Sequence, residues 1–189
     1  MKNKGILYVI SGPSGVGKGT ICKKLIEKNP AISFSVSATT RKPRNEDCEG
    51  VTYFFKSKEE FERMIDEKQF LEWAVYNGNY YGTPRGPVEE RLKGGIDVIL
   101  EIDVQGALNV KECFEDGVFI FIAPPDENAL YERLKNRGTE SNEEIERRVG
   151  AAKRELSLKE KYDYIVINDR LEDAVLEIEN IMKREKDTL

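Results

Sequence analysis

The sequence predicts a doubly wound α/β fold with a mainly parallel sheet, interrupted by an inserted α+β subdomain. Three observations lead there. Apolar, strand-like runs begin near residues 5, 96, 118 and 164 and alternate with helical periodicity, the pattern of a parallel sheet covered on both faces. A glycine-rich loop ending in lysine joins the first strand to the first helix. Between residues 34 and 83 the rhythm breaks into short strands, one helix and a hairpin.

In order along the chain, Gly5–Ile10 is a short apolar run read as a buried strand. Gly17–Lys28 is a helix, with Ile21, Leu25 and Ile26 on one side and Asn29-Pro30 as its stop. Ile32–Val36 is strand-like, Thr39–Gly50 a polar loop and Thr52–Phe55 a short strand. Ser57 caps the next helix, Glu60 completes a capping box, and Phe61, Met64 and Ile65 form the apolar stripe. Phe70–Tyr76 and Tyr80-Tyr81 flank Asn77-Gly78, a tight-hairpin signal. Pro84–Lys93 reads as a helix with proline at its start and Gly94-Gly95 at its end. Ile96–Ile102 is apolar except at Asp97 and Glu101 and stops in Asp103-Val104-Gln105-Gly106, after which a helix follows to about Glu115. Val118–Ala123 is a buried strand stopped by Pro124-Pro125. Asp126–Asn136 is a helix, Arg137–Asn142 a polar break and Glu143–Glu160 a long charged helix. Tyr164–Ile167 is the last strand, and Leu171–Lys186 the last helix, with Ala174, Val175, Ile178 and Ile181 inward.

Composition bounds the function. The 189 residues suffice for one domain with a core, and 34% charged residues of mixed sign against 39% apolar describe a folded chain. A net charge of −5 argues against nucleic acid or an acidic membrane as partner. No signal-peptide pattern and no apolar run long enough to span a bilayer stand in the sequence, so a cytoplasmic location is expected. Cys22, Cys48 and Cys113 lack metal-site spacing and fit a reducing compartment. There is no histidine, which removes Ser-His and Cys-His machinery and leaves Lys, Arg, carboxylates, backbone and metal ions for any catalysis.

The loop Gly12-Pro13-Ser14-Gly15-Val16-Gly17-Lys18 follows a strand and opens a helix. Its glycines let the backbone wrap closely with N–H groups aimed at phosphate oxygens, and the helix start adds partial positive charge. Lys18 supplies a mobile cation for the terminal phosphates of a nucleotide. Gly19 stands where such loops commonly carry a Ser or Thr that touches magnesium; here the ion would keep a water in that place. Thr20 still offers a hydroxyl to a phosphate. An acceptor site is expected in the inserted region, where Arg41 and Arg44 present guanidinium forks suited to phosphate. Glu72, beside Trp73, would be costly to bury without a donor, which a ligand N–H could be. Acidic residues at the C-terminal end of a parallel strand, Glu101 and Asp103, lie where α/β folds bind ligands, although Asp103 also reads as a helix cap.

Together, "SGPSGVGKGT", "SATTRKPR", "FLEWAVYNGNYYGTP", "EIDVQGA" and "RLKNRGTE", in that order over nearly the whole chain, resemble the guanylate kinase family. The resemblance implies a three-layer P-loop kinase core (1–33, 84–124 and 147–189), a GMP-binding subdomain (34–83) and a helical lid (125–146). It implies transfer of the γ-phosphoryl group of ATP to GMP, with dGMP as the nearest alternative acceptor, and Mg²⁺ as the cofactor. Matched residue by residue, it implies ATP on Gly12 through Thr20, with Arg133, Arg137 and Asn168. It implies the GMP phosphate on Ser37, Arg41, Arg44, Tyr53 and Tyr81, and the guanine on Glu72 and Thr83, with Asp47, Glu101 and Asp103 close by. Asp47 and Glu101 exchange the acid the family commonly has there, keeping charge and altering reach. Lys18, Arg41, Arg137 and Arg148 are the residues implied in catalysis. No side chain is expected to bind Mg²⁺ directly; phosphates and water would hold it near Asp103.

A carboxylate at Glu72 suits guanine, whose N1–H and 2-amino group are adjacent donors, and would be left unpaired by adenine. A general base is unnecessary, because a phosphoester with a second pKa near about 6 is already ionised at neutral pH. ATP and GMP are thus the implied partners, with no nucleic acid and no membrane; the sequence does not specify an oligomeric state. Two other readings stand beside this one: a non-catalytic interaction module of the same fold, which Lys18 speaks against, and a kinase for another nucleoside monophosphate.

Overall fold

The computed structural model describes residues 4–135 and 142–188. Five strands, β1 (Leu7–Ser11), β2 (Ser33–Phe34), β7 (Val98–Glu101), β8 (Val118–Ala123) and β9 (Tyr164–Ile167), form a parallel sheet in the order β2-β7-β1-β8-β9. All residues of β1 and β8 are buried because helices cover both faces. The two-residue alternation of β1 divides its side chains between two cores. Tyr8 and Ile10 pack with Ile21 and Leu25 of α1 (Lys18–Lys28) and Ile178 of α7 (Leu171–Asp187). Leu7 and Val9 pack on the other side with Val88 and Leu92 of α3 (Arg85–Lys93) and Ala107 and Val110 of α4 (Val104–Cys113). Each large apolar side chain buried this way contributes roughly 1.5–3 kcal/mol.

A second sheet, ordered β4-β3-β6-β5, is built from β3 (Ala38–Thr39), β4 (Phe54–Phe55), β5 (Phe70–Tyr76) and β6 (Asn79–Pro84). The β5–β6 hairpin closes through Asn77 and Gly78, both at positive φ (48° and 75°), the turn that matches strand twist. Between β4 and β5 lies α2 (Lys58–Asp66); Ser57 Oγ accepts from the Glu60 N–H at 3.1 Å, so the capping box is formed. Phe61 of α2 stacks on Phe70 (4.3 Å) and Tyr80 (5.2 Å), a small separate core. The third unit pairs α5 (Glu127–Lys135) with α6 (Asn142–Leu156) through Leu130, Val149 and Ala152.

Four assignments differ from the sequence expectation, each for a long-range reason. The run Ile32–Val36 is shared between units: only Ser33 and Phe34 pair with β7, after which the chain crosses to the second sheet. Thr39, expected in a loop, is a strand residue there, its hydroxyl donating to Tyr80 O at 2.8 Å. Ile96 is exposed and Asp97 is buried, accepting from Ile6 N at 3.0 Å and pairing with Lys186 at 2.7 Å, so β7 begins only at Val98. The helix α6 (Asn142–Leu156) stops at Leu156 rather than Glu160, and a 3-10 turn at Lys159–Lys161 follows, because Leu156 and Leu158 pack against the core and turn the chain toward β9.

Candidate active site

The glycine loop is shaped by what surrounds it. Gly12 has φ 146°, and a Cβ there would lie 2.2 Å from Ile122 O, so no side chain fits. Gly17 caps α1 at φ 98° with no side-chain capping bond, which leaves the first-turn N–H groups open to a ligand. Val16 is buried in the core and anchors the loop, with its N–H donating to Pro13 O at 3.3 Å. Asn168, buried just after β9, donates from Nδ2 to Val16 O at 2.8 Å and braces the loop from below. Ser14 and Thr20 are exposed on the open side.

Lys18 Nζ donates to the carbonyls of Gly12 (2.6 Å) and Pro13 (3.0 Å), and so lies across its own loop. Burial lowers its pKa, against the opposing pull of Glu101, Glu155 and Asp103. Burial likewise raises the carboxyls of Glu101 and Glu155, with Lys18 holding each down. A Cβ on Gly19 would lie 3.6 and 3.7 Å from the two carboxylate oxygens of Glu101, ordinary contact distances. The place where a loop hydroxyl is commonly found is therefore faced by a carboxylate in this chain. Glu101 and Asp103 both line the cleft beside Lys18, a hard-oxygen donor set that suits Mg²⁺. Asp103 also caps α4, accepting from Gly106 N at 2.7 Å.

The second sheet contributes Tyr76 to the lining of the cleft and carries a further group of polar side chains outside that lining. Glu72 and Thr83 are register partners across β5–β6, and Thr83 Oγ1 donates to Glu72 Oε1 at 2.6 Å. Burial pushes the Glu72 carboxyl up to about 7, against that hydrogen bond. Arg41 is held by Asp47 (2.9 Å), with its guanidinium 5.3 Å from the Tyr53 ring centre. Asp47 accepts from Arg44 N at 2.7 Å; this bond and then Arg41 hold its carboxyl below the usual range. Tyr53 and Tyr81 meet edge-on at 6.0 Å. Ser37 is half-buried, its carbonyl accepting from Phe54 N, and the Arg44 side chain is exposed. From α6, Arg148 Nη2 donates to Ser14 Oγ at 2.5 Å. The loop, the ends of β7 and α4, Tyr76, Arg147, Arg148 and Glu155 enclose a cleft of about 800 Å³. A smaller concavity of about 440 Å³, between α2, β6 and α3, includes neither the loop nor Glu72.

Comparison with known proteins decides the family: the family model for guanylate kinase matches residues 4–185. The chain belongs to the guanylate kinase family. It is 56% identical over 186 residues to a guanylate kinase of Caldanaerobacter subterraneus, covering 98% of this chain and 90% of that one. It is 51% identical over 185 residues to a guanylate kinase of Desulfitobacterium hafniense, covering 98% and 92%. The crystal structure of guanylate kinase from Anaplasma phagocytophilum superposes with a TM-score of 0.77 at 36% identity, covering 97% of this chain and 87% of that one. Membership of the guanylate kinase family makes this chain an enzyme, a nucleotide-binding transferase with the α/β kinase architecture. Among the described residues, no helix is long and apolar enough to cross a membrane.

Against the sequence expectations for a guanylate kinase, the structure gathers Lys18, Glu101, Asp103 and Arg148 about one cleft. It turns others elsewhere. Arg133 donates to Asn168 O (2.8 Å), Asp169 O (3.3 Å) and Val16 O (3.5 Å), bracing the glycine loop. Asp47 faces Arg41, making it a support for the arginine. Arg137 lies outside the described residues. Glu155 is a group that sequence reasoning passed over; its spacing of seven from Arg148 on one helix was the signal, since positions i and i+7 share a face.

Proposed function

We propose that the two sides of the cleft hold the two nucleotides of the guanylate kinase reaction, ATP on the glycine loop and GMP on the second sheet, giving ADP and GDP. The observation that carries this division is Glu72: a carboxylate held by Thr83, raised by burial, and seated at the start of α4 beside Asp103, which lines the cleft with Lys18. Such a group needs ligand donors, and the adjacent N1–H and 2-amino group of guanine supply a pair. Segment 34–83 then serves as the GMP-binding subdomain and 125–146 as the lid, on a core of 1–33, 84–124 and 147–189.

Ser37, Arg41, Arg44, Tyr53 and Tyr81 take the GMP phosphate, with Arg41 already aimed by Asp47 and the Tyr53 ring. A GMP phosphate oxygen attacks the γ-phosphorus of ATP, and the bond from that phosphorus to the β–γ bridging oxygen breaks, leaving ADP. The attacking oxygen is ionised at neutral pH, so no proton need be removed. What the protein must do is bring two anions into line and neutralise the charge as it moves. Lys18, Arg41 and Arg148 do this, with Arg137 as a fourth cation. Arg133 and Asn168 hold the loop that grips ATP. Glu101 and Asp103 would hold Mg²⁺ through water, and the ion would supply positive charge to offset that of the phosphates. Closure of the lid excludes water that would otherwise take the phosphoryl group.

The test is an acceptor panel of GMP, AMP, UMP and CMP with ATP as donor. GMP should exceed each of the others by at least about 10²-fold in kcat/KM; equal turnover of AMP and GMP would remove the role given to Glu72. A second check addresses Asp47. Asp47→Ala frees Arg41 from its aim and should raise KM for GMP about tenfold, with KM for ATP unchanged. An unchanged KM for GMP would mean that Arg41 needs no such support.

A further inference from the structure

Gly106 sits in the first turn of α4, in an ordinary helical conformation. Helix propensity argues against glycine there, since alanine is better by about 1 kcal/mol. Space argues the other way. A Cβ on Gly106 would stand 3.1 Å from Glu72 Oε2, 3.5 Å from Glu72 Cδ and 3.3 Å from Asp103 Oδ1. Neither acid is free to retreat. Glu72 Oε1 is held by Thr83 at 2.6 Å, and Asp103 Oδ1 by the N–H of Gly106 itself at 2.7 Å. The glycine thus makes room for a carboxylate of the opposite unit to rest on the helix start.

We infer that Gly106 is a positioning residue for base selection: having no side chain, it lets the Glu72 carboxylate seat against α4 at the depth from which it reads guanine. This rests on the assignment of Glu72 to the base. A methyl group at 106 would push the carboxylate outward toward the ligand, spoiling its approach to the N1–H and 2-amino pair while leaving the glycine loop untouched.

The experiment compares Gly106→Ala in two backgrounds, the parent chain and Glu72→Asp, in which the shorter side chain withdraws from position 106. In the parent, KM for GMP should rise about tenfold, KM for ATP and Tm should hold, and the preference for GMP over IMP, which lacks the 2-amino group, should fall. In Glu72→Asp, Gly106→Ala should change KM for GMP by less than about twofold. Parent-like GMP kinetics and GMP/IMP preference in Gly106→Ala, or an equal loss in both backgrounds, would overturn the inference. If Gly106→Ala fails to fold in the parent, crowding requires the double variant to fold; failure of both would also overturn it. If Glu72→Asp alone leaves the GMP/IMP preference unchanged, the base assignment itself falls, a result separable from the others because it appears with Gly106 intact.

Discussion

Lys18→Ala should lose on the order of 10²–10³-fold in kcat while melting within a few degrees of the parent. The Lys18 ammonium is the one cation of the glycine loop itself, and among the described residues its hydrogen bonds run to that loop's own carbonyls, Gly12 O and Pro13 O. Ligand phosphates would compete for it directly. The structural loss is small, because position 18 opens α1 and alanine is a good helix former there. Removing the cation has a second consequence. Glu101 and Glu155 lose the charge that holds their carboxyls down, so their pKa values should climb further. Steady-state kinetics with a thermal melt checks the first point, and carboxyl titration by NMR the second. Near-parental turnover would show that the loop amides alone carry the phosphate.

Glu72→Gln should cost on the order of 10²-fold in kcat/KM for GMP, with KM for ATP unaffected. The amide replaces one acceptor oxygen by a donor, which then faces a donor of guanine. The pH profile should change with it. In the free protein the Glu72 carboxyl is pushed up to about 7, and only its ionised form accepts the guanine pair. KM for GMP in the parent should therefore fall as pH rises toward 7 and level off above it. In Glu72→Gln that component should vanish, leaving the ionisation of GMP's own phosphate near about 6. The sign for stability is opposite. A folded carboxyl raised above its unfolded value keeps its proton where the unfolded chain has lost it, so parental stability declines from about pH 4.5 to about 7. The variant escapes that decline and should melt higher than the parent above pH 7. Equal losses at both nucleotide sites, or an unchanged pH profile, would contradict this role for Glu72.

The parts legible in the sequence are those governed by a few neighbouring residues. The capping box of Ser57 and Glu60 formed, and the Asn77-Gly78 turn closed its hairpin, because caps and turns depend on local φ and on bonds three residues apart. The continuous apolar runs of β1 and β8 were read as buried strands, and two layers of helices bury them. Illegible were the contacts between segments far apart in the chain. Nothing near Arg133 says that its guanidinium lands on carbonyls 35 and 36 residues onward. Nothing near Asp47 chooses Arg41 over a ligand as its partner, and nothing in "VQGA" says that a carboxylate from residue 72 needs the space at Gly106.

By itself, then, the sequence determined the alternating α/β core, the glycine-rich loop between the first strand and helix, and the family to which the chain belongs, since periodicity, glycine placement and motif order are properties of short stretches. Only the tertiary structure decided that Ile32–Val36 would split between two sheets, that Glu101 would face Gly19, and that Glu72 would lie against α4. Those outcomes turn on packing and charge between units brought together from distant parts of the chain, which no local rule contains.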